Sequence, residues 1–263
     1  MDHIAVLLCA GFGTRMGSLT RDLPKPLLRV AGRPVLDYLM DQLVTLPQLN
    51  RIVLVTNAKF SDHFQHWEKT WFSALKSAKI SLLHVDDGAL ANENRLGACA
   101  DLQLALRAAA DFEAALVSAA DNIYLFSIRR FWKRFLEGGY HCLFALPEKR
   151  KSILRRSGVP VFGDDSRVLA VHEKPREPAE TWLCPPLYLV KPAVHDQLDR
   201  FLKDYGRPDA PGHFIDYLCR NDVVHAFRIE AGRVDIGTPA AYRRAQNLTP
   251  TELDFSSWDE KSG

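Results

Sequence analysis

Short apolar runs recur along the first half of the chain, each closed by a polar or glycine-rich cluster and separated by stretches of helical periodicity. Residues 4–8 form the first run and lead into a glycine-rich turn. From Pro34 onward Leu36, Leu39, Met40 and Leu43 fall on one helical face, with the proline suited to a helix start. Residues 52–55 predict a second strand, closed by Thr56-Asn57. An amphipathic stretch rich in Trp and Phe precedes a third candidate strand at 80–85. Residues 102–110 read as helix, and 114–117 as a fourth strand that runs into Ala119-Ala120-Asp121-Asn122.

Continuous apolar strands alternating with helices imply a mostly parallel sheet covered on both faces. The second half is more mixed, with strands at 142–146, 159–162, 168–172 and 187–190, some of them antiparallel, and helices at 194–205 and 214–220. The predicted class is therefore α/β, with a Rossmann-like mixed, mainly parallel central sheet flanked by helices. In such sheets ligands sit beyond the carboxyl ends of the strands. The glycine turn, Asn57 and Asp121 all fall there. Residues 1–248 are read as one domain, and 249–263 as a polar, acidic, loosely held tail.

Composition narrows the class without redirecting it. The 263 residues carry 34 Lys and Arg against 32 Asp and Glu, spread along the chain, so no basic face for nucleic acid is expected. No apolar run approaches a membrane span, and Met1-Asp2-His3-Ile4 lacks the basic and apolar regions of a signal peptide. The five cysteines are scattered without CxxC or Cys/His ligand spacing, which favours reduced thiols in a cytoplasmic protein over disulfides or zinc.

The chemistry is concentrated after the first strand, in Ala10-Gly11-Phe12-Gly13-Thr14-Arg15-Met16 and then Leu23-Pro24-Lys25-Pro26-Leu27. A glycine turn lets backbone N–H groups approach phosphate oxygens, and a helix start adds a favourable dipole. Arg15 offers a fork of donors and Lys25 a movable point charge, a combination suited to a triphosphate. The dinucleotide fingerprint is excluded because Met16 stands where its third glycine belongs, and the P-loop pattern is absent.

This opening resembles the sugar-nucleotide pyrophosphorylases, the nucleotidyltransferase family that includes glucose-1-phosphate thymidylyltransferases and mannose-1-phosphate guanylyltransferases. The resemblance implies that Ala10, Gly11, Gly13, Thr14 and Arg15 cradle the NTP, with Asn57 and Gly97 in the same nucleotide-binding set. Arg15 and Lys25 would be the catalytic cations. Arg95-Leu96-Gly97-Ala98 falls where the family has a loop beside the nucleobase. Asp121 and the Asp235 of Val234-Asp235-Ile236-Gly237-Thr238, followed by Tyr242, would be the Mg²⁺ ligands. Gly158, Glu173, Lys174 and Tyr188 would bind the acceptor, Glu173 on sugar hydroxyls and Lys174 on phosphate. The family also implies an NTP and a sugar 1-phosphate as partners and leaves a homo-oligomer open. The chain is expected to lack the left-handed β-helix domain of some relatives.

These residue types suit the reaction. A phosphate oxygen attacking an α-phosphorus is already anionic, so repulsion and alignment are the obstacles, and cations answer both. Three departures stand out: Ala120 where the family has Gly, Cys184-Pro185-Pro186 where it has Asn-x-Gly, and a long polar loop at 86–94. The altered acceptor segment keeps a second reading alive, a cytidylyltransferase for a phosphocholine-like phosphate or phosphonate. A third, a non-catalytic sensor of nucleotide sugars, is disfavoured by the retention of Arg15, Lys25, Asp121, Lys174 and Asp235 together. The basic residues at 149–151 and 155–156 are read as a solvated loop.

Overall fold

Alternate residues of the first strand, β1 (Asp2–Leu8), enter different cores: Ala5 and Leu7 on one face, Ile4 and Val6 on the other. The computed structural model describes residues 2–256. After β1 come a two-strand ladder, β2 (Arg29–Val30) and β3 (Arg33–Pro34), then α1 (Val35–Leu43), β4 (Leu49–Thr56) and α2 (Ser61–Ala78). Next are β5 (Ser81–Asp86), α3 (Ala98–Ala109), β6 (Phe112–Ala119), β7 (Asn122–Tyr124), α4 (Arg129–Glu137) and β8 (His141–Pro147). The chain continues with α5 (Lys151–Leu154), β9 (Gly158–Phe162), β10 (Val168–Glu173), β11 (Trp182–Leu183) and β12 (Leu187–Val190). The series closes with α6 (Val194–Tyr205), α7 (Pro211–Asn221), β13 (Val224–Arg228), β14 (Arg233–Asp235) and α8 (Pro239–Ala245).

Strands β5, β4, β1 and β6 lie side by side and all parallel. β12 runs antiparallel to both β6 and β8, while β13 is parallel and β11 antiparallel to β8. The α/β class and the mixed Rossmann-like sheet are thus as the apolar pattern predicts. The chain moves from β1 outward to β4 and β5, then returns to β6 on the other side of β1. That reversal makes the gap beyond the carboxyl ends of β1 and β6 a topological switch point.

Local sequence explains the covering helices. On α2, Phe64, Trp67, Trp71 and Leu75 form the buried stripe, and both indole N–H groups donate to Asp37 Oδ1 of α1, at 2.8 and 3.0 Å. The helix predicted over 102–110 starts a turn earlier, at Ala98, because Gly97 (φ 90°) caps it there. The helix predicted over 214–220 likewise begins at Pro211, in the first-turn position that suits proline. Among the described residues no helix is long and apolar enough to cross a membrane.

A third cluster packs residues 16–38 against residues 123 and 236–253. Met16, Leu28 and Val35 pack there with Ile123, Ile236, Tyr242 and Leu253. The expected loose tail differs here. Thr249 ties its backbone N–H and its hydroxyl to Glu252 Oε2, at 2.9 and 2.8 Å, and Leu253 is 1% exposed. A single apolar anchor in a polar stretch gives no periodicity to read. Residues 257–263 of that tail lie outside the described residues.

Candidate active site

A cavity of about 720 Å³ opens at the carboxyl ends of β1 and β6, with Leu8 and Ala119 in its wall. It brings together Ala10, Gly11, Gly13, Thr14, Arg15, Lys25 and Gly97 with Asp121, Asp235, Gly158, Glu173, Lys174 and Tyr188. Asn57 is the exception. It is fully buried, its Nδ2 donates to Ala10 O at 2.7 Å, and its Oδ1 accepts the Phe60 N–H at 3.0 Å. Asn57 holds the end of β1 in place from behind and does not line the cavity, a correction to its assignment as a nucleotide contact.

The glycine loop is shaped by one left-handed residue. Gly13 has φ +64°, and a Cβ there would lie 3.1 Å from the Thr20 side chain, whose hydroxyl donates to Gly13 O at 2.9 Å. The chain then enters a 3₁₀ helix, Thr14–Thr20, broken at Gly17. A macrodipole from an aligned α-helix is therefore missing at this loop. The donors this loop offers are its backbone N–H groups and the exposed Arg15.

Lys25 is nearly buried, its side chain 9% exposed, on the short 3₁₀ turn Lys25–Leu27. Its Nζ lies 2.5 Å from Asp121 Oδ2, and Asn122 Nδ2 donates to Asp121 Oδ1 at 2.7 Å. Burial alone would raise the Asp121 carboxyl; Lys25, and beyond it Arg233 and Arg15, hold it below the ordinary carboxylate value. Antiparallel pairing of β14 with β7 sets Asp235 opposite Asn122, which carries the second carboxylate across 114 residues of sequence to the rim beside Asp121. Asp235 Oδ1 accepts the Gly237 N–H at 2.7 Å.

A glycine loop after β1, a lysine on the aspartate after β6, and a second aspartate paired alongside form one surface. The family model described as Nucleotidyl transferase matches residues 4–252. The chain belongs to the nucleotidyl transferase family. It is 30% identical over 241 residues to a UTP–glucose-1-phosphate uridylyltransferase of Haloferax volcanii, covering 89% of this chain and 91% of that one. The fold is shared with a UDP-glucose pyrophosphorylase solved with UDP-glucose (TM-score 0.76, 16% identity, 94% of this chain and 98% of that one). It is shared too with the inositol-1-phosphate CTP transferase from T. maritima (TM-score 0.73, 18% identity, 99% and 97%). The resemblance to sugar-phosphate nucleotidyltransferases is thereby borne out, and the protein is an enzyme of nucleotidyl transfer.

The far half of this nucleotidyltransferase's cavity is walled by β9, β10 and the segment before β12. Glu173, its side chain 11% exposed, lies 3.4 Å from the Lys174 Nζ, whereas Lys174 is 55% exposed. Tyr188 is buried on β12, and burial pushes its phenol well up. Arg95 meets Asp209 at 3.4 Å and Asn92 O at 2.8 Å at the rim, so its surface ion pair and its place in the cavity wall coexist. Tyr242 is structural, its hydroxyl donating to Arg29 O at 3.0 Å.

Sequence reasoning missed several side chains of this wall. Glu148 and Arg150 form a two-pronged pair at 2.9 and 2.7 Å and line the cavity with Arg156, where a solvated loop was expected. Asp101, on the first turn of α3, is 6% exposed in the same wall; burial and the facing Asp87 push its carboxyl up to about 7. Gly212, on the first turn of α7, touches Glu173 so closely that a Cβ would lie 2.0 Å from Glu173 Oε2. Arg233 is nearly buried beside Asn122 and Asp235. Only the adjacency of Arg233 to the Asp235 motif could have flagged any of these in sequence.

Proposed function

We propose that this enzyme condenses an NTP with a sugar 1-phosphate to give an NDP-sugar and pyrophosphate. An oxygen of the acceptor phosphate forms a bond to the α-phosphorus, and the bond from that phosphorus to the α,β-bridging oxygen breaks. Pyrophosphate leaves with the electron pair, so no strong general base is required. The observation that carries the reading is the contact of Lys25 with Asp121 at the end of the glycine loop, with Asp235 paired alongside. In this reading the loop from Ala10 to Arg15 and Gly97 hold the nucleotide, and Lys25 meets charge on the reacting phosphates. Gly158, Glu173, Lys174 and Tyr188 hold the acceptor. The name of the Haloferax relative, a glucose-1-phosphate uridylyltransferase, supports a sugar 1-phosphate.

The donor set fits Mg²⁺. Among the described residues no group of three or more His, Cys, Asp or Glu gathers around a point, so a cage made of protein alone is not offered. Two carboxylates, Asp121 and Asp235, suit a hard cation that keeps waters and shares phosphate oxygens. Such an ion would neutralise phosphate charge and favour attack at phosphorus. Five unpaired, buried thiols suit a reducing compartment, consistent with a cytoplasmic enzyme.

The second reading, cytidylyl transfer to a non-sugar phosphate, draws on Pro186 in the cavity wall, preceded by Pro185, and on the fold shared with an inositol-1-phosphate CTP transferase. Both readings meet in one assay: pyrophosphate release with Mg²⁺ across ATP, CTP, GTP, UTP and dTTP. Each is paired with common sugar 1-phosphates, phosphocholine and 2-aminoethylphosphonate. Turnover with a sugar 1-phosphate, lost in Asp121→Asn, is expected. Turnover confined to CTP with a non-sugar acceptor would select the second reading, and none on any pairing would overturn both.

A further inference from the structure

The acceptor wall is short of backbone donors. Pro185 and Pro186 carry no N–H, the Cys184 N–H is spent on Gly158 O at 2.8 Å, and the Leu187 N–H on Pro185 O at 2.7 Å. A phosphate arriving here meets no free N–H between residues 184 and 187. Lys174, which the family resemblance sets on that phosphate, is more than half exposed and already faces Glu173. An exposed, paired lysine is a weak anchor.

Arg233 lines the same cavity as Cys184, Pro186 and Tyr188. Its side chain is 12% exposed, and it leaves β14 two residues before Asp235, on the same face of the strand. Nη1 donates to Asn122 Oδ1, a neutral amide oxygen. Nη2 stands 3.9 Å from Asp235 Oδ2, beyond hydrogen-bond reach. A guanidinium has five N–H donors in a fixed fork, so most of those on Arg233 are left for another partner. Arg233 stands opposite Tyr124 in the β14–β7 ladder, and the Tyr124 hydroxyl donates to Pro186 O at 3.4 Å, so its strand adjoins both Asn122 and the proline segment.

A nearly buried cation whose close partner is neutral, and whose carboxylate is held off, is poised for an anion. Its fork matches a phosphate in two-pronged fashion, which a lysine cannot do. We propose that Arg233 binds the phosphate of the acceptor, supplying the donors that the Pro185-Pro186 wall cannot. The ligand class is a small phosphate monoester. Its phosphate engages the free guanidinium N–H groups while Asn122 steadies the side chain. The inference rests on the nucleotidyl-transfer reading of the cavity.

The test is calorimetric titration of inorganic phosphate into the full chain preloaded with Mg²⁺ and a non-hydrolysable NTP analogue, for wild type, Arg233→Met and Arg233→Lys. Phosphate affinity is expected to fall at least tenfold in Arg233→Met and less in Arg233→Lys, while affinity for the NTP analogue changes by less than twofold. Phosphate binding within twofold of wild type in Arg233→Met would overturn the proposal. So would an equal loss of phosphate and NTP-analogue binding, which would make Arg233 a support for the carboxylates instead. Absence of phosphate binding in wild type would overturn it as well. Should Arg233→Met fail to fold, Arg233→Lys carries the test, since it keeps the charge and removes the fork. Failure of turnover on every substrate pairing would count against the reaction, whereas the titration judges Arg233 separately.

Discussion

The buried Asp101 faces the half-buried Asp87 carboxyl to carboxyl, each with a buried oxygen that lacks a partner of its own. With Asp101 pushed up to about 7, the folded chain holds a proton there that the unfolded chain, at about 3.9, releases. Stability from this source is complete below roughly pH 4 and is lost as the pH rises through about 7. Asp101→Asn, whose amide can donate to Asp87, is expected to flatten that decline and to raise the melting temperature at pH 8 by several degrees. Thermal melts from pH 4 to 8 check this, and equal slopes in variant and wild type would contradict it. Gly212 is the second residue-scale case. A Cβ placed 2.0 Å from Glu173 Oε2 must push the carboxylate out of position. Gly212→Ala is expected to lower kcat/KM for the acceptor by on the order of ten- to a hundredfold, with the KM for NTP unchanged. Neither contact is legible in sequence, because a helix-start aspartate and a helix glycine have ordinary reasons to be there.

At the scale of elements, β1 and its loop are held by a neighbour that sequence pattern alone assigns to the ligand. Asn57 sits at the end of β4 and spends its amide on Ala10 O and the Phe60 N–H. Asn57→Ala leaves that carbonyl buried without its donor, at a cost of about 1–3 kcal/mol. Urea unfolding should show the loss, and the KM for NTP should rise as the loop loses its brace. A stable variant with an unchanged KM would return Asn57 to a passive role. The strand-end position of Asn57 is legible in sequence, but the direction of a side chain there depends on the neighbouring strand. Pairing of β14 with β7 shows the same limit: Asp235 and Asp121 are both visible as residues after apolar segments, yet only the ladder register makes them neighbours.

For the whole molecule, the carboxylates at the rim have partners in the chain itself: Asp121 in Lys25 and Asn122, and Asp235 Oδ1 in the Gly237 N–H. The third core cluster packs Met16, Ile236 and Leu253 together by apolar contact. Chelation with EDTA is therefore expected to abolish turnover and leave the fold intact, with far-UV circular dichroism unchanged and the melting temperature within about 2 °C. That shift corresponds to at most roughly 1 kcal/mol for a chain of this size. Unfolding on chelation would instead make the metal a structural element.

The sequence by itself determined the class of sheet, because strands buried on both faces must be apolar at every position and cannot be mistaken for surface strands. It also marked the glycine turn as the candidate phosphate loop, because its residues are adjacent along the chain and their chemistry is local. Only the tertiary structure decided which way Asn57 points, that Asp87 faces Asp101, and that Arg233 lines one cavity with Pro186. Those facts depend on contacts between segments distant in sequence. Their partners are chosen by strand register and helix packing, neither of which leaves a period in the order of residues.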